Sequence, residues 1–520
     1  MRAPTLLAPL ASACLALAAA AWSHAVPPGD GAMGAGAVLP ADVRMSVRAR
    51  DIRGMRADGT LAPAQAALVR LAGSRVLGDA WMRIAGALGT DGTGLVDLLL
   101  GTDVIYAERA RDGGTDWVIV THTAQATYDL LVKRLAPTVE GGGRVTFGEQ
   151  GVAAAWRPPY LVLGPSARHA LLDAVVERLD APKRLPGLAD DPVVADAASW
   201  ERGAVEATWR HDAPVDGASV FVVRPVQGDL RVRHRSRWAR APIHVAPGAA
   251  ADAGLLRALE GQGIAVLAMN PWRGALDPNE PMDALLLEGE VDDAMRANMG
   301  ARQVVVVGER AVAGSRLRVP TIGLAFEVRD PVLAERQWEG WARRLVDSLV
   351  RRTGLPGPEP FATAGDDGVR RSAIGPLVRS LLADHPLVPD VELAWDSATT
   401  PSNGAWQLVA TDPALLRTIR DALATAPRAP DADGAHEVGV LSGRALAAHL
   451  RSWATEASRF APEQAESFAS AIGLAADVAA AATTVRWRAR APDANVVESE
   501  IVVELPKASA PAAAPAGTVP

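Results

Sequence analysis

Two distant stretches of this chain carry one pattern, and that recurrence constrains its folding more than any other feature. "YLVLGPSARHALLDAVVERL" (Tyr160–Leu179) and "WQLVATDPALLRTIRDALATA" (Trp406–Ala426) each read as an apolar strand, a capped turn and a helix. Leu171, Val175 and Leu179 share one helix face, and Leu415, Ile419 and Leu423 repeat the spacing. Ser166 and Asp412 are the natural N-caps. Three further features recur in the same order. "VRMSVRA" (Val43–Ala49) and "IAVLAMN" (Ile264–Asn270) read as opening strands. Asp116–Leu135 matches Ile322–Leu349 as strand, cap and helix, with Thr123 and Asp330 as caps and Pro331 at the first helical position. Arg-alternating strands, "LRVRHRSRWARAP" (Leu230–Pro242) and "TVRWRARAP" (Thr484–Pro492), complete the set.

A duplicated chain follows, divided near Pro242. The hairpin-like run Val104–His122 implies antiparallel pairing. The expected class is α+β: two tandem related repeats of mixed strands and helices, with largely antiparallel sheets packed by helices. The first repeat spans 41–241 and the second 242–505, enlarged by a helical segment near 442–482. Leu61–Leu100 also reads as helical. Gly-, Ala- and Pro-rich residues 26–40 read as a flexible lead-in, and 506–520 as a disordered tail.

The N-terminus has the layout of a secretory signal peptide. Arg2 precedes an apolar run from Leu6 to Ala21, and "WSHA" places small residues before a cut between Ala25 and Val26. That run is shorter than the roughly 20 residues that span a bilayer. The alternatives are an uncleaved anchor and a lipid anchor on Cys14, the only cysteine. Cleavage leaves a mature chain without thiols, which excludes disulfides and cysteine chemistry.

Hydrophobic residues make up 49% and charged residues 22%, an ordinary globular balance. A formal net charge of -7 argues against nucleic acid as a partner. The eight histidines beyond the signal are isolated, with no zinc-binding pair four apart on a helix. Ser166 lacks the glycine pattern of a nucleophile elbow and reads as a cap. "DADGAHE" (Asp431–Glu437) lacks the full ligand set of a calcium loop and reads as an acidic linker. No cofactor or metal is expected. The 14 tryptophans fall at strand or helix-face positions, which favours core packing over a sugar platform.

The arginine strands are the candidate site. In an extended strand Arg231, Arg233, Arg235 and Arg237 share one face, and Arg486, Arg488 and Arg490 repeat the row. Such rows suit an acidic glycan, a phospholipid head group or an acidic protein. The simpler reading pairs each Arg with Asp or Glu on a neighbouring strand.

The repeated signature, best seen in "YLVLGPSARHALLDAV", resembles exported bacterial proteins of a domain family with no assigned function. The resemblance covers roughly Ala41 to Leu505 and implies export and repeated strand–helix units. It supplies no catalytic residues. The expectation is a periplasmic or secreted, non-enzymatic binding or scaffold module with an envelope protein or polymer as partner. The alternatives are a hydrolase of envelope polymers with scattered catalytic residues and a carrier of lipid or another hydrophobic ligand. Expression in a bacterium should yield a chain that begins at Val26 by intact mass, and a chain retaining Met1 overturns export.

Overall fold

The computed structural model describes residues 35–50, 103–238, 250–269, 293–381, 392–456 and 465–506, with short interruptions, and scattered positions between 85 and 99. The expected signal, Cys14, the Ala25–Val26 cut, the boundary at Pro242, most of Leu61–Leu100 and the tail from 507 lie outside the described residues.

The described chain opens with α1 (Ala35–Val38), β1 (Met45–Arg50), β2 (Asp103–Arg111), β3 (Gly114–His122) and α2 (Gln125–Leu135). There follow β4 (Thr138–Val139), β5 (Arg144–Phe147), β6 (Val152–Arg157), β7 (Tyr160–Pro165), α3 (Ala170–Asp180) and α4 (Pro192–Ala197). β8 (Val205–His211), β9 (Gly217–Val226) and β10 (Asp229–Trp238) end the first half. The second half begins with α5 (Ala253–Leu259), β11 (Ala265–Met269), α6 (Asp293–Asn298), β12 (Met299–Ala311), β13 (Arg318–Val328) and α7 (Pro331–Thr353). It continues through β14 (Thr363–Ala364), β15 (Arg370–Ala373), α8 (Gly375–Leu381), β16 (Glu392–Thr400), β17 (Gly404–Ala410) and α9 (Pro413–Thr425). It closes with β18 (Glu437–Ser442), α10 (Gly443–Thr455), α11 (Ala465–Ala480), β19 (Thr484–Asp493) and β20 (Val496–Glu504).

All twenty strands form one sheet, and every neighbouring pair is antiparallel. Read outward from the centre, one side runs β10, β9, β8, β1, β2, β3, β7, β6, β5, β4. The other runs β20, β19, β18, β11, β12, β13, β17, β16, β15, β14. Strand for strand the two orders are the same, and β10 pairs with β20 at the centre from Leu230↔Val503 to Arg237↔Val496.

This corrects the expected fold class. Two α+β repeats with sheets of their own are replaced by one continuous antiparallel sheet. The physical reason is the last strand of each half: β10 and β20 would each leave an unpaired edge, and pairing them removes both. The matching of the two arginine strands is also corrected. By position in the sheet β10 corresponds to β20, whereas β19 corresponds to β9.

Local signals explain most elements. Asp330 caps α7 by accepting the Val332 and Leu333 N–H groups at 3.0 Å each, and Asp412 caps α9 through Ala414 N–H at 2.7 Å. Ser166 caps nothing: its N–H donates to Gly151 O, and α3 starts only at Ala170. Val38 and Leu39, at the end of the expected loose lead-in, are fully buried beside Leu171 and Leu188. α10 and α11 form the helical insertion expected in the second half.

Alternation along the strands separates two cores. On one face a single apolar cluster runs across both halves, from Ile119 and Leu131 through Val232, Ile501 and Trp487 to Leu324 and Trp338. Trp338 anchors α7 there, stacked on Phe326 at 5.3 Å and edge-on to Trp341 at 5.1 Å. The opposite face carries separate clusters, one under α1 and α3 and one under α5 and α9. Each half also buries a paired arginine on this divided face. Arg48 meets Asp103, with Nε–Oδ1 at 2.9 Å. Arg302 meets Asp252 at 3.0 Å and Glu327 at 2.7 Å and lies over the Trp406 ring. Removing one partner of such a pair strands a buried charge.

Gly439 of β18 sits under the indole of its cross-strand neighbour Trp487, and a Cβ there would lie 2.0 Å from Cζ2. Gly439→Ala should therefore cost about 1–3 kcal/mol. An unchanged denaturation midpoint would show that the ring is not held against that backbone.

Candidate functional site

The predicted arginines converge on the central seam. Alternation along β10 puts Arg231, Arg233, Arg235 and Arg237 on the divided face, and β20 lies between this row and Arg486, Arg488 and Arg490 on β19. β20 contributes carboxylates. In register, Glu500 stands between Arg233 and Arg488, and Glu498 between Arg235 and Arg490.

The two sides of β20 are not served equally. Arg490 donates to Glu498 Oε2 from Nε at 2.9 Å and Nη2 at 2.7 Å, and Arg488 Nε reaches Glu500 Oε2 at 2.9 Å. Toward β10, Arg235 Nη1 is 3.5 Å from Glu498 and Arg231 Nη1 is 3.9 Å from Glu500. Arg486 has its own carboxylates, Glu504 at 3.0 Å and Glu260 at the end of α5, and Arg488 also meets Asp433. The hydrogen bonds to Glu260 and to Glu500 hold the Arg486 and Arg488 guanidinium groups above their ordinary range, against the effect of burial. Arg237 lies opposite Val496, is exposed, and has no ion-pair partner among the described residues.

Among the described residues, helices flank this strip without roofing it. Val194 of α4 packs on Val220 and Val222 of β9, and Leu255 and Leu259 of α5 join Val438 and Val440 of β18 in one cluster. Between them Arg231, Arg233, Arg237, Arg488 and Arg490 are exposed.

On the other face of the seam His234 Nδ1 lies 2.9 Å from Ser499 Oγ, and Nε2 meets Ser236 Oγ, which contacts Ser219 Oγ. Phe221 stacks on the imidazole at 4.3 Å. A serine within reach of a histidine is the start of a nucleophile. Here, however, both ring nitrogens are taken by hydroxyls, and the surrounding N–H groups belong to strands in the ladder rather than to an oxyanion hole. The group acts as a cross-strand polar link that fixes register.

A second feature arises at the start of β18. Glu437 is buried between Met269 and Ala489 and accepts the Trp487 indole N–H at 2.9 Å. Burial pushes its carboxyl up to about 7, and burial pushes the adjacent His436 down to about 4. His436 Nδ1 has no hydrogen-bond partner among the described residues. The described residues contain no His, Cys, Asp or Glu group able to hold a metal ion, and no helix among them is long and apolar enough to cross a membrane.

Sequence reasoning found the arginines and missed Glu498 and Glu500. The available signal was the E-x-E alternation of "VVESEIVVEL", which complements R-x-R across a strand pair. No protein-family model, curated protein or solved structure matches the chain.

Glu437 and His436 oppose each other in pH. The raised carboxyl contributes stability in acid that is lost as pH rises from 4.5 to about 7. The depressed imidazole contributes stability above pH 6.5 that is lost as pH falls toward about 4. Glu437→Gln should leave a stability that climbs with pH across the acid range, and His436→Gln one that declines. Each trend should amount to about 3 kcal/mol, at about 1.4 kcal/mol per pH unit of displacement. Denaturation midpoints from pH 4 to 7.5 test this, and wild-type profiles in both variants would overturn it.

Proposed function

We propose that this chain is an exported binding or scaffold module of the bacterial envelope, and that the arginine strip along the central seam is its binding surface. One observation supports the surface above others: among the described residues the helices of the two halves leave the middle strands uncovered, and that strip carries five exposed arginines. Export rests on the N-terminal pattern, and the family resemblance belongs to the same reading. The partner is an anionic envelope protein or polymer rather than nucleic acid. The serine–histidine link is the nearest approach to the rival hydrolase, and its engaged ring nitrogens favour a structural role.

A chain cut after Ala25 has no cysteine, so an introduced thiol is unique. A photo-cross-linker on Arg237→Cys should capture envelope material in the exporting cell. The same group on Arg343→Cys, an exposed position of α7 on the other face, should not. Equal capture at both positions would remove the strip as the binding surface.

A further inference from the structure

We infer that α10 is a strap with a proton-sensitive catch. Protonation of His449 releases the far end of α10 from the β12–β13 hairpin and uncovers the apolar face beneath it. The device is independent of the arginine strip.

The two ends of α10 are held differently. Its start is fixed by backbone packing. Ser442 Oγ accepts the Ala445 N–H at 3.2 Å, and Gly443 N–H donates to Thr483 O at 3.2 Å. A Cβ on Gly443 would lie 2.1 Å from Ala482 O, so α10 and the end of α11 meet with no room between them. The far end is held by side chains instead. Trp453 Nε1 donates to Arg318 O at 2.8 Å, and Arg318 N–H donates to Ser452 Oγ at 3.1 Å. Arg316 N–H reaches Glu456 Oε1 at 3.4 Å. Between the two ends Leu446 packs on the apolar cluster that contains Val485 and Trp487. Lifting the far end therefore bares part of the continuous face.

His449 is buried about one turn before Trp453. Its Nδ1 lies 3.5 Å from Glu309 Oε2 of β12, and neither atom has a hydrogen bond among the described residues. The other Glu309 oxygen is committed to the Arg318 guanidinium of β13. A proton on His449 therefore sets a positive charge in a buried site, beside a carboxylate already shared with an arginine. Burial holds the imidazole below its ordinary range; Glu309 opposes that fall, and the Arg318 charge adds to it. The other charges around α10 are directed elsewhere. Arg451 pairs with Asp477 of α11 at 3.3 Å, Glu456 faces the Arg316 backbone, and Arg444 and Glu466 are exposed at the starts of α10 and α11. β18 and β19 bring Leu441 and Val485 into the same cluster, and Glu437 lies at the opposite end of β18. Water solvates the imidazolium only when the far end lifts. The seated catch thus contributes stability above pH 6.5 that is lost as pH falls below it.

The test is amide hydrogen exchange of the purified full chain between about pH 7.5 and 5, resolved by peptide and corrected for intrinsic rates. Exchange across Ala447–Thr455 should rise by about threefold or more in acid, well beyond any change in α9. His449→Gln carries no charge at any pH and should flatten the rise. Glu309→Gln removes the group that favours a charged ring and should steepen it. Arg318→Gln removes the charge that disfavours it and should make it shallower. Protection of α9 at pH 7.5 shows that each variant is folded. Slower exchange of α10 in acid overturns the sign of the catch and with it the proposal. Undiminished acid release in His449→Gln overturns the residue, and parallel loosening of α9 overturns a local strap.

Discussion

The antiparallel pairing of β10 with β20 is the contact on which the rest of the molecule depends. It joins residues 265 positions apart in the chain and turns two ten-strand sets into one sheet. Its two sides contribute differently. On the continuous face Leu230, Val232, Ile501 and Val503 bring the cores of both halves into one apolar cluster, where burial supplies the stabilisation. On the divided face exposed arginine–glutamate pairs add little energy each. Their value lies in matching, since any other strand brought against this edge would set arginine against a poorer neighbour.

What could be read in the sequence was local. Asp330 and Asp412 are caps because a short carboxylate just ahead of an apolar helix has N–H groups within reach whatever the tertiary structure does. The two-residue alternation of arginines likewise put each row on one face of its strand. What could not be read depended on distant partners. The fold class turned on whether the last strand of each half meets the other, and no periodicity reports that. Resemblance between two arginine strands pointed to equivalence, yet they are similar because both border the acidic β20. "DADGAHE" read as an acidic linker. Its last residue is buried because β18 lies between β11 and β19. Ser166 lost the capping role because the turn after β7 runs on through Arg168 before α3 begins.

The two halves share a strand order but not a covering. Between β8 and β9 the chain returns within a few residues, whereas between β18 and β19 it inserts α10 and α11. Those helices close over Val485 and Trp487 on the continuous face. In the first half Trp209 of β8 is left 43% exposed. A nearly symmetric sheet is thereby given two distinguishable ends.

The order of the strands also sets an order of events. β10 is the last strand of the first half and waits for β20, which is made only after the other strands of the second half. Throughout that interval its edge is bare, the condition under which sheets join the wrong neighbour. Two such half-made chains meeting edge to edge would crowd arginine rows together, and like charges repel. The arginines of β10 thus guard an unfinished protein, and the glutamates of β20 are the key that ends the wait.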